Sequence, residues 1–296
     1  MLGGVHIPAV TPFDAVTGEV DRLALRENVR RWMGSPVRGI VVSGTTGEAV
    51  LLDRDERGAV VEAARGVIPE DRILIAGTGA ESTRSTLRLT RDAAEAGADA
   101  VLVQPPSFYR AAMDRAALGA HFRKIADASP VPVILYQVPP SCSTIGLSTG
   151  LVAELARHPN IIGIKDSRGD LDELGALLTH ASDGFEVLSG DATRFYAALE
   201  LGVAGGILAL ANLFPTEVAA LERAFRDGRS AEAGRLQERM GPVARTIVGR
   251  HGVPGVKAAM DLIGSRGGAP RPPLRALGEK AREAVRDALG ALDQPT

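Results

Sequence analysis

The stretch Ile161-Ile162-Gly163-Ile164-Lys165-Asp166-Ser167 decides how this chain reads. Its apolar residues run without alternation into a lysine, and polar residues with Gly169 follow at once. Such a run suits a strand buried on both faces, as in a parallel sheet covered by helices. Lys165 then stands at the strand's carboxyl end, where α/β sheets assemble their sites. Lysine is scarce here: Lys124, Lys165, Lys257 and Lys280 are the four lysines among 34 basic residues, and the rest are arginine. Arginine keeps its proton, whereas a desolvated lysine can become a neutral amine and attack a carbonyl. The competing reading is a strand-end lysine that snorkels to solvent or pairs with Asp166.

Outward from that strand, the same alternation repeats in both directions. Strands are predicted at residues 5–11, 39–42, 73–76, 100–104, 133–136, 186–189 and 206–210. Helices are predicted between them, opened by Asp21, Asp53 (with Glu56 as a capping-box partner), Ser82, Asp114, Ser148, Asp170 and Ala192. A further helix begins after Pro215. Eight strand–helix units over residues 5–227 favour a closed (β/α)8 TIM barrel, an α/β fold, over an open doubly wound sheet. Residues 230–248, 254–263 and 277–289 read as further helices, with a Gly-, Pro- and Arg-rich loop at 264–273. The expected organisation is a catalytic barrel over residues 1–228 and a C-terminal helical region over residues 229–296.

Composition narrows the function. Apolar residues make up 45% and charged residues 24% of 296, with a net charge of -2, which lacks the basic excess of a nucleic-acid binder. A single cysteine, Cys142, excludes a disulfide framework and a cysteine zinc site. The five histidines are scattered, with no HExxH pair, and no G-x-S-x-G elbow occurs, so no metal site is expected. His121 and His158 are expected to cap helices or face solvent, and Lys257 to be structural. No secretory leader or membrane-length apolar run is visible, so the expected location is the cytoplasm and no membrane partner is expected.

In a barrel, the residues that follow the strands converge on one face. Here they are Thr45, Thr46, Glu48, Tyr109, Tyr136, Lys165, Ser167, Gly190 and Asn212. The turn Gly44-Thr45-Thr46-Gly47-Glu48 offers amides and hydroxyls that suit a carboxylate or phosphate, but lacks the Gly-Lys-Ser/Thr of a P-loop. Gly77-Thr78-Gly79-Ala80-Glu81-Ser82 lacks the third glycine of a dinucleotide fingerprint. Glu48 and Asp166 are a weak candidate for paired glycosidase carboxylates.

Taken together, Gly44-Thr45-Thr46-Gly47-Glu48, Tyr136-Gln137-Val138-Pro139 and Gly163-Ile164-Lys165-Asp166-Ser167 resemble the dihydrodipicolinate synthase and N-acetylneuraminate lyase family of class I pyruvate aldolases. The resemblance spans nearly the whole chain. It implies a carbon–carbon lyase in which Lys165 forms a Schiff base with pyruvate or another 2-oxo acid and Tyr136 shuttles protons. Thr45 joins the proton relay, and Thr46 holds the keto-acid carboxylate. Gly47, Ser167, Gly190 and Ile207 are the further expected substrate-binding positions. Tyr109, in Pro106-Ser107-Phe108-Tyr109-Arg110, takes the place of a second relay tyrosine lent by a neighbouring subunit; a one-residue shift would put Phe108 there. The resemblance implies a homotetramer or homodimer, with no organic cofactor or metal, because the iminium does the polarising.

Within the family, the synthase carries an arginine shortly after its YxVP motif. This chain reads Tyr136-Gln137-Val138-Pro139-Pro140-Ser141-Cys142-Ser143-Thr144 there. The segments 158–167, 205–212 and 252–257 resemble 4-hydroxy-2-oxoglutarate aldolase more closely. The expected reaction is cleavage of 4-hydroxy-2-oxoglutarate to pyruvate and glyoxylate, with the aldehyde pocket lined partly by residues 137–144 and 167–170. The alternatives are dihydrodipicolinate synthase, a 2-keto-3-deoxy sugar-acid aldolase, and a keto-acid-binding regulatory barrel without turnover.

Overall fold

A computed structural model of the chain describes residues 2–182 and 184–291. Strands β1 (Gly4–Pro8), β2 (Gly39–Val42), β3 (Ile73–Gly77), β4 (Ala100–Val103), β5 (Val133–Gln137), β6 (Ile161–Asp166), β7 (Glu186–Ser189) and β8 (Gly205–Ile207) are all parallel. β8 returns to β1, so the sheet closes in sequence order. The helices that follow the strands are α1 (Arg22–Met33), α2 (Arg54–Arg65), α3 (Thr83–Glu95), α4 (Arg115–Ala128), α5 (Thr149–Leu155), α6 (Leu171–Leu178), α7 (Phe195–Leu201) and α8 (Pro215–Arg226). The chain is therefore a (β/α)8 barrel.

Local chemistry explains the helix starts. Asp21 accepts from the amides of Leu23 and Ala24, and Asp53 and Glu56 form a reciprocal capping box. Ser82, Asp114, Ser148 and Asp170 cap α3 to α6 in the same way. Each such cap is worth about 1 kcal/mol, so these residues set where the chain turns from loop to helix.

Burial separates two apolar shells. Val41, Ile75, Leu102, Ile134, Leu188 and Ile207 fill the barrel interior, and Leu2 plugs its amino end. Residues pointing the other way, such as Ile7, Ile40, Val133, Ile161, Ile164 and Val187, pack under the helices. β6 departs from simple alternation. Val133 pairs with Ile161, but Ile134 pairs with Gly163, so one extra residue is accommodated in β6. Ile162 and Lys165 consequently both belong to the interior, while Ile164 lies under the helices. Gly163 is required at this crowded step, because a Cβ there would lie 2.4 Å from the Glu186 carbonyl oxygen.

Several boundaries differ from the sequence reading. β8 stops at Ile207, and Ala209–Asn212 forms a 3-10 turn where strand was expected through residue 210. The Asn212 side chain causes the turn: it donates to the carbonyls of Pro8 and Ala209 and accepts from the Val10 amide. β1 stops at Pro8, and residues 9–11 form a connection in which the Thr11 hydroxyl donates to the Gly47 carbonyl. The expected helix 230–248 is α9 (Ser230–Ala244) followed by a π-helical turn, Arg245–Arg250. After it come α10 (Gly252–Leu262) and α11 (Glu279–Gly290). His121 is buried, not solvent-facing: its Nδ1 lies 2.8 Å from the Thr83 hydroxyl, and burial pushes its pKa down to about 4.

The C-terminal helices are tied to the barrel by polar contacts. Gln237 on α9 donates to the carbonyls of Ala192 and Thr193 and accepts from the Tyr196 amide. Asn28 on α1 exchanges two hydrogen bonds with the backbone of Arg266. No helix among the described residues is long and apolar enough to cross a membrane.

Candidate active site

Lys165 and Tyr136 face each other across β6 and β5, in register. Lys165 is 5% exposed, and its Nζ lies 4.3 Å from the centre of the Tyr136 ring. Among the described residues, no carboxylate or carbonyl binds this amine. Asp166, the alternative partner considered above, points to the other side of the strand. It receives the Arg168 guanidinium at 2.8 and 2.5 Å, and Arg168 also reaches Glu173 at 2.9 Å. Burial works against the Arg168 cation, but the Asp166 and Glu173 carboxylates together outweigh it, and the pKa of the guanidinium is raised. Among the described residues, the Lys165 amine is thus left without an ion-pair partner.

The Tyr136 hydroxyl is 3.1 Å from the Thr45 hydroxyl, which continues the polar line from β5 to the turn after β2. Lys165, Tyr136, Thr45, Thr46, Ser167, Gly190 and Ile207 line one cavity of about 200 Å³ at the carboxyl end of the barrel. Gly190 keeps the space beside the amine open. A Cβ on it would lie 1.9 Å from Ser167 Oγ and 3.0 Å from Lys165 Cε. The Ser167 hydroxyl is buried without a partner.

Four sequence candidates are not in this cavity. Gly47 stands behind Thr46, its carbonyl held by Thr11. Asn212 is buried in its backbone contacts. Glu48 turns away from the cavity into an ion pair with Lys257, 2.5 Å from its Nζ, in a spot where both side chains are 1% exposed. Glu48 and Asp166 therefore serve different cations, and a glycosidase pair is excluded. Tyr109 is 72% exposed, stacked edge-on against Phe108, which is 77% exposed. Glu81 fixes this pair by accepting from the Ser107 and Phe108 amides.

The sequence reading also missed part of the wall. Pro139, Ser141 and Cys142 come from the anticipated segment after β5. Of residues 167–170, however, only Ser167 lines the cavity; Arg168 is drawn away by Asp166. Val248 on the π turn, with Gly252, Val253 and Val256 on α10, closes another side. Val248 lies in no motif, and the segment 252–257 enters the sequence reading only as a resemblance; the packing of the C-terminal helices brings both to Lys165. Among the described residues, no group of three or more His, Cys, Asp or Glu side chains is arranged to hold a metal.

Lys257, read as structural, is the second fully buried lysine. It donates to the Ala269 carbonyl at 2.9 Å and lies 4.4 Å over the Phe13 ring. Burial pulls its amine below the usual lysine range, and the Glu48 carboxylate offsets part of that fall. Only Lys165 of the two is free to meet a carbonyl.

A closed barrel with an unpaired amine, a phenol and threonine hydroxyls around a cavity at its carboxyl end is the architecture of a barrel enzyme. The chain belongs to the dihydrodipicolinate synthetase family, whose model matches residues 1–292. It is thereby an aldolase-type lyase. It is 36% identical, over 98% of its length and 94% of the relative's, to a probable mitochondrial 4-hydroxy-2-oxoglutarate aldolase of Emericella nidulans. It is 35% identical, over 97% of each chain, to a 4-hydroxy-tetrahydrodipicolinate synthase of Syntrophus aciditrophicus. Among solved structures, it is similar to a chloride-inhibited dihydrodipicolinate synthase from Acinetobacter baumannii complexed with pyruvate. The TM-score there is 0.93, with 32% identity and 99% of each chain covered.

Proposed function

We propose that the chain is a class I aldolase that cleaves 4-hydroxy-2-oxoglutarate to pyruvate and glyoxylate through a Schiff base on Lys165. The observation that carries this reading is the unpaired Lys165 amine packed against Tyr136, whose hydroxyl meets Thr45. The free amine attacks the C2 carbonyl, giving a carbinolamine and, with loss of water, an iminium. Tyr136, relayed through Thr45, takes the proton of the C4 hydroxyl. The C3–C4 bond breaks, its electrons pass into the iminium, and glyoxylate leaves. The resulting enamine takes a proton at C3, and water releases pyruvate and restores the amine. The covalent route and the positioned acid–base pair supply separate parts of the acceleration, the latter about 10²–10⁴-fold.

The choice of glyoxylate as the aldehyde is supported by the wall after β5. Ser141 and Cys142 stand where a synthase would place an arginine, and no guanidinium lines the cavity. The name of the Emericella relative points the same way. Relatives of similar identity named as synthases keep pyruvate plus aspartate semialdehyde as the second reading. In the proposed enzyme Thr46 holds the 2-oxo acid carboxylate, with Ser167, Gly190 and Ile207 around the substrate and Gly47 behind Thr46 as part of the turn. The barrel supplies the catalytic groups, and Val248, Gly252, Val253 and Val256 of the C-terminal helical region wall one side. Tyr109 enters the site of a neighbouring chain in a homodimer or homotetramer, and the proposed location is the cytoplasm.

The deciding experiment is borohydride reduction with pyruvate, followed by mass spectrometry of the peptide carrying Lys165. A pyruvate-derived adduct on that residue is expected, and an unmodified Lys165 would sink the Schiff-base reading. Offering glyoxylate, aspartate semialdehyde and hydroxylated aldehydes with pyruvate then separates the substrates. Adduct formation without turnover of any aldehyde would leave a binding barrel in place of an enzyme.

A further inference from the structure

The turn that carries Thr45 and Thr46 is bracketed by two strained residues. Ser43 and Glu48 both adopt left-handed backbone conformations, with φ of 51° and 56°, and they are the two non-glycine residues with positive φ among those described. Such conformations persist only when the surroundings over-determine them. At Glu48 the surroundings are chemically specific. One carboxylate oxygen meets Lys257 at 2.5 Å, and the other accepts from the Arg271 amide at 2.8 Å. The Arg271 guanidinium forks onto Glu56 at 2.6 Å and donates to the Leu51 carbonyl at 2.9 Å. Both cations lie over the Phe13 ring, at 4.4 and 4.2 Å.

The arrangement is expensive for a scaffold. Burying an ammonium and a carboxylate carries a large desolvation penalty, and apolar residues of the same volume would often be as stable. Lys257 also comes from α10, far along the chain, and reaches the turn after β2 from behind. Its amine is a point charge that fixes the Glu48 carboxylate and, through it, the left-handed backbone one residue after Gly47.

We propose that Lys257 and Glu48 are a buried positioning pair that holds the Thr45–Thr46 turn in its strained form and so aligns the proton relay with the substrate on Lys165. This rests on the Schiff-base reading above. Lys257 touches no reacting atom; it acts through Glu48 on the turn.

The test uses the full chain with pyruvate alone, so it does not depend on the identity of the aldehyde. Borohydride trapping counts the functional Lys165 sites. Exchange of pyruvate C3 hydrogens in D2O, followed by NMR, reads the iminium–enamine proton transfer at each site. The variants are Lys257→Met, Glu48→Gln, the combination of both, and Lys257→Arg. The expected result is exchange per trapped site lowered tenfold to about a hundredfold in the two single variants, the scale at which small misplacements act. The combined variant removes both charges and should regain thermal stability while exchange per site stays low. Lys257→Arg keeps the charge and should recover part of the rate. Two results overturn the proposal: exchange per trapped site at the wild-type level throughout, or trapping and exchange lost together in every variant. In either case the pair supports the fold and nothing more. Wild-type protein that forms no adduct would instead refute the Schiff-base reading itself.

Discussion

Tyr136 and Lys165 are register partners on adjacent parallel strands, and this pairing exists because β6 contains one residue more than strict alternation allows. Without the extra residue, Tyr136 would pair with Ile164. The amine would then emerge under the helices, because a one-residue slip moves a side chain to the opposite face of a sheet. With it, Nζ lies 4.3 Å from the phenol ring, and the Tyr136 hydroxyl continues to Thr45 at 3.1 Å. The amine and the phenol are therefore placed by backbone register, with rigid strands behind both.

Replacing Tyr136 with Phe keeps the ring against Lys165 and removes only the hydroxyl that meets Thr45. Turnover should fall by roughly 10²-fold or more, the usual worth of a positioned proton carrier. Borohydride trapping of pyruvate should persist in part, because the amine and its packing are unchanged. Steady-state cleavage rates beside trapped fractions make the comparison. Wild-type turnover would remove Tyr136 from the relay.

Gly190→Ala tests the space around the amine. The new methyl group would lie 1.9 Å from Ser167 Oγ and 3.0 Å from Lys165 Cε. Overpacking of this kind costs about 1–3 kcal/mol in stability. Trapping at Lys165 should fall further than the thermal shift alone would suggest, because the displaced groups belong to the site. Ser167→Gly in the same chain removes the closest clash and should restore part of the trapping. Unchanged trapping in the single variant would show that the strand ends yield easily.

Much of this arrangement is legible in the sequence, for identifiable reasons. Uninterrupted apolar runs mark the strands, and side-chain caps such as Asp21 and Asp53 mark the helix starts, because both signals are local. The residues at strand ends follow from those elements, and Lys165, Tyr136, Thr45, Thr46, Ser167, Gly190 and Ile207 share one cavity, whereas Gly47, Glu48, Tyr109 and Asn212 lie outside it. The extra residue in β6 was not legible, since Ile161-Ile162-Gly163-Ile164 has no alternation to interrupt. Glu48 was misread because its partner, Lys257, is distant in sequence, and a carboxylate beside two threonines looks like a site residue. The place of Val248 and Val253 in the cavity wall is not legible, because nothing in an apolar helix says which cavity it will cover.

The exposed pair Phe108 and Tyr109 supports a prediction about assembly. If Tyr109 acts in a neighbouring chain's site, then chains with Tyr109→Ala and chains with Lys165→Ala complement each other. Each is inactive alone, but a mixed dimer contains one site with an intact lysine and a partner's intact tyrosine. Random exchange between isologous subunits restores roughly a quarter of the wild-type sites. Activity measured after dissociation and reassociation of the mixture checks this. No recovery, with mixed dimers shown to be present, would confine Tyr109 to its own chain or to the surface. Running Phe108→Ala in place of Tyr109→Ala distinguishes the two rings.

The fold should lose stability in mild acid because it buries a neutral histidine. His6 is fully buried at the amino end of the barrel, and its Nε2 lies 2.8 Å from the Leu2 carbonyl. A carbonyl only accepts, so Nε2 carries the proton and donates, which leaves Nδ1 bare and without a partner. Burial lowers the pKa of this imidazole from 6.5 to about 4, so the native state keeps it neutral where the unfolded chain would protonate it. With the unfolded state binding more protons, the stabilisation is fully present above pH 6.5. It is lost as pH falls from 6.5 toward 4. At pH 5 the loss from His6 alone is about 2 kcal/mol, taking 1.36 kcal/mol for each pH unit below the unfolded pKa. His121, also lowered to about 4 by burial, adds a loss of the same sign. Glu56 and Asp92, whose pKa values are lowered by Arg271 and Arg54, begin to lose their contributions only below their ordinary values of 4.5 and 3.8, beneath the interval from 6.5 to 5 over which the His6 loss is read. Urea midpoints at pH 7 and pH 5 measure the effect. His6→Gln, which keeps a donor for the Leu2 carbonyl but cannot titrate, should reduce the difference between them; an undiminished difference in that variant would assign the acid sensitivity to other groups.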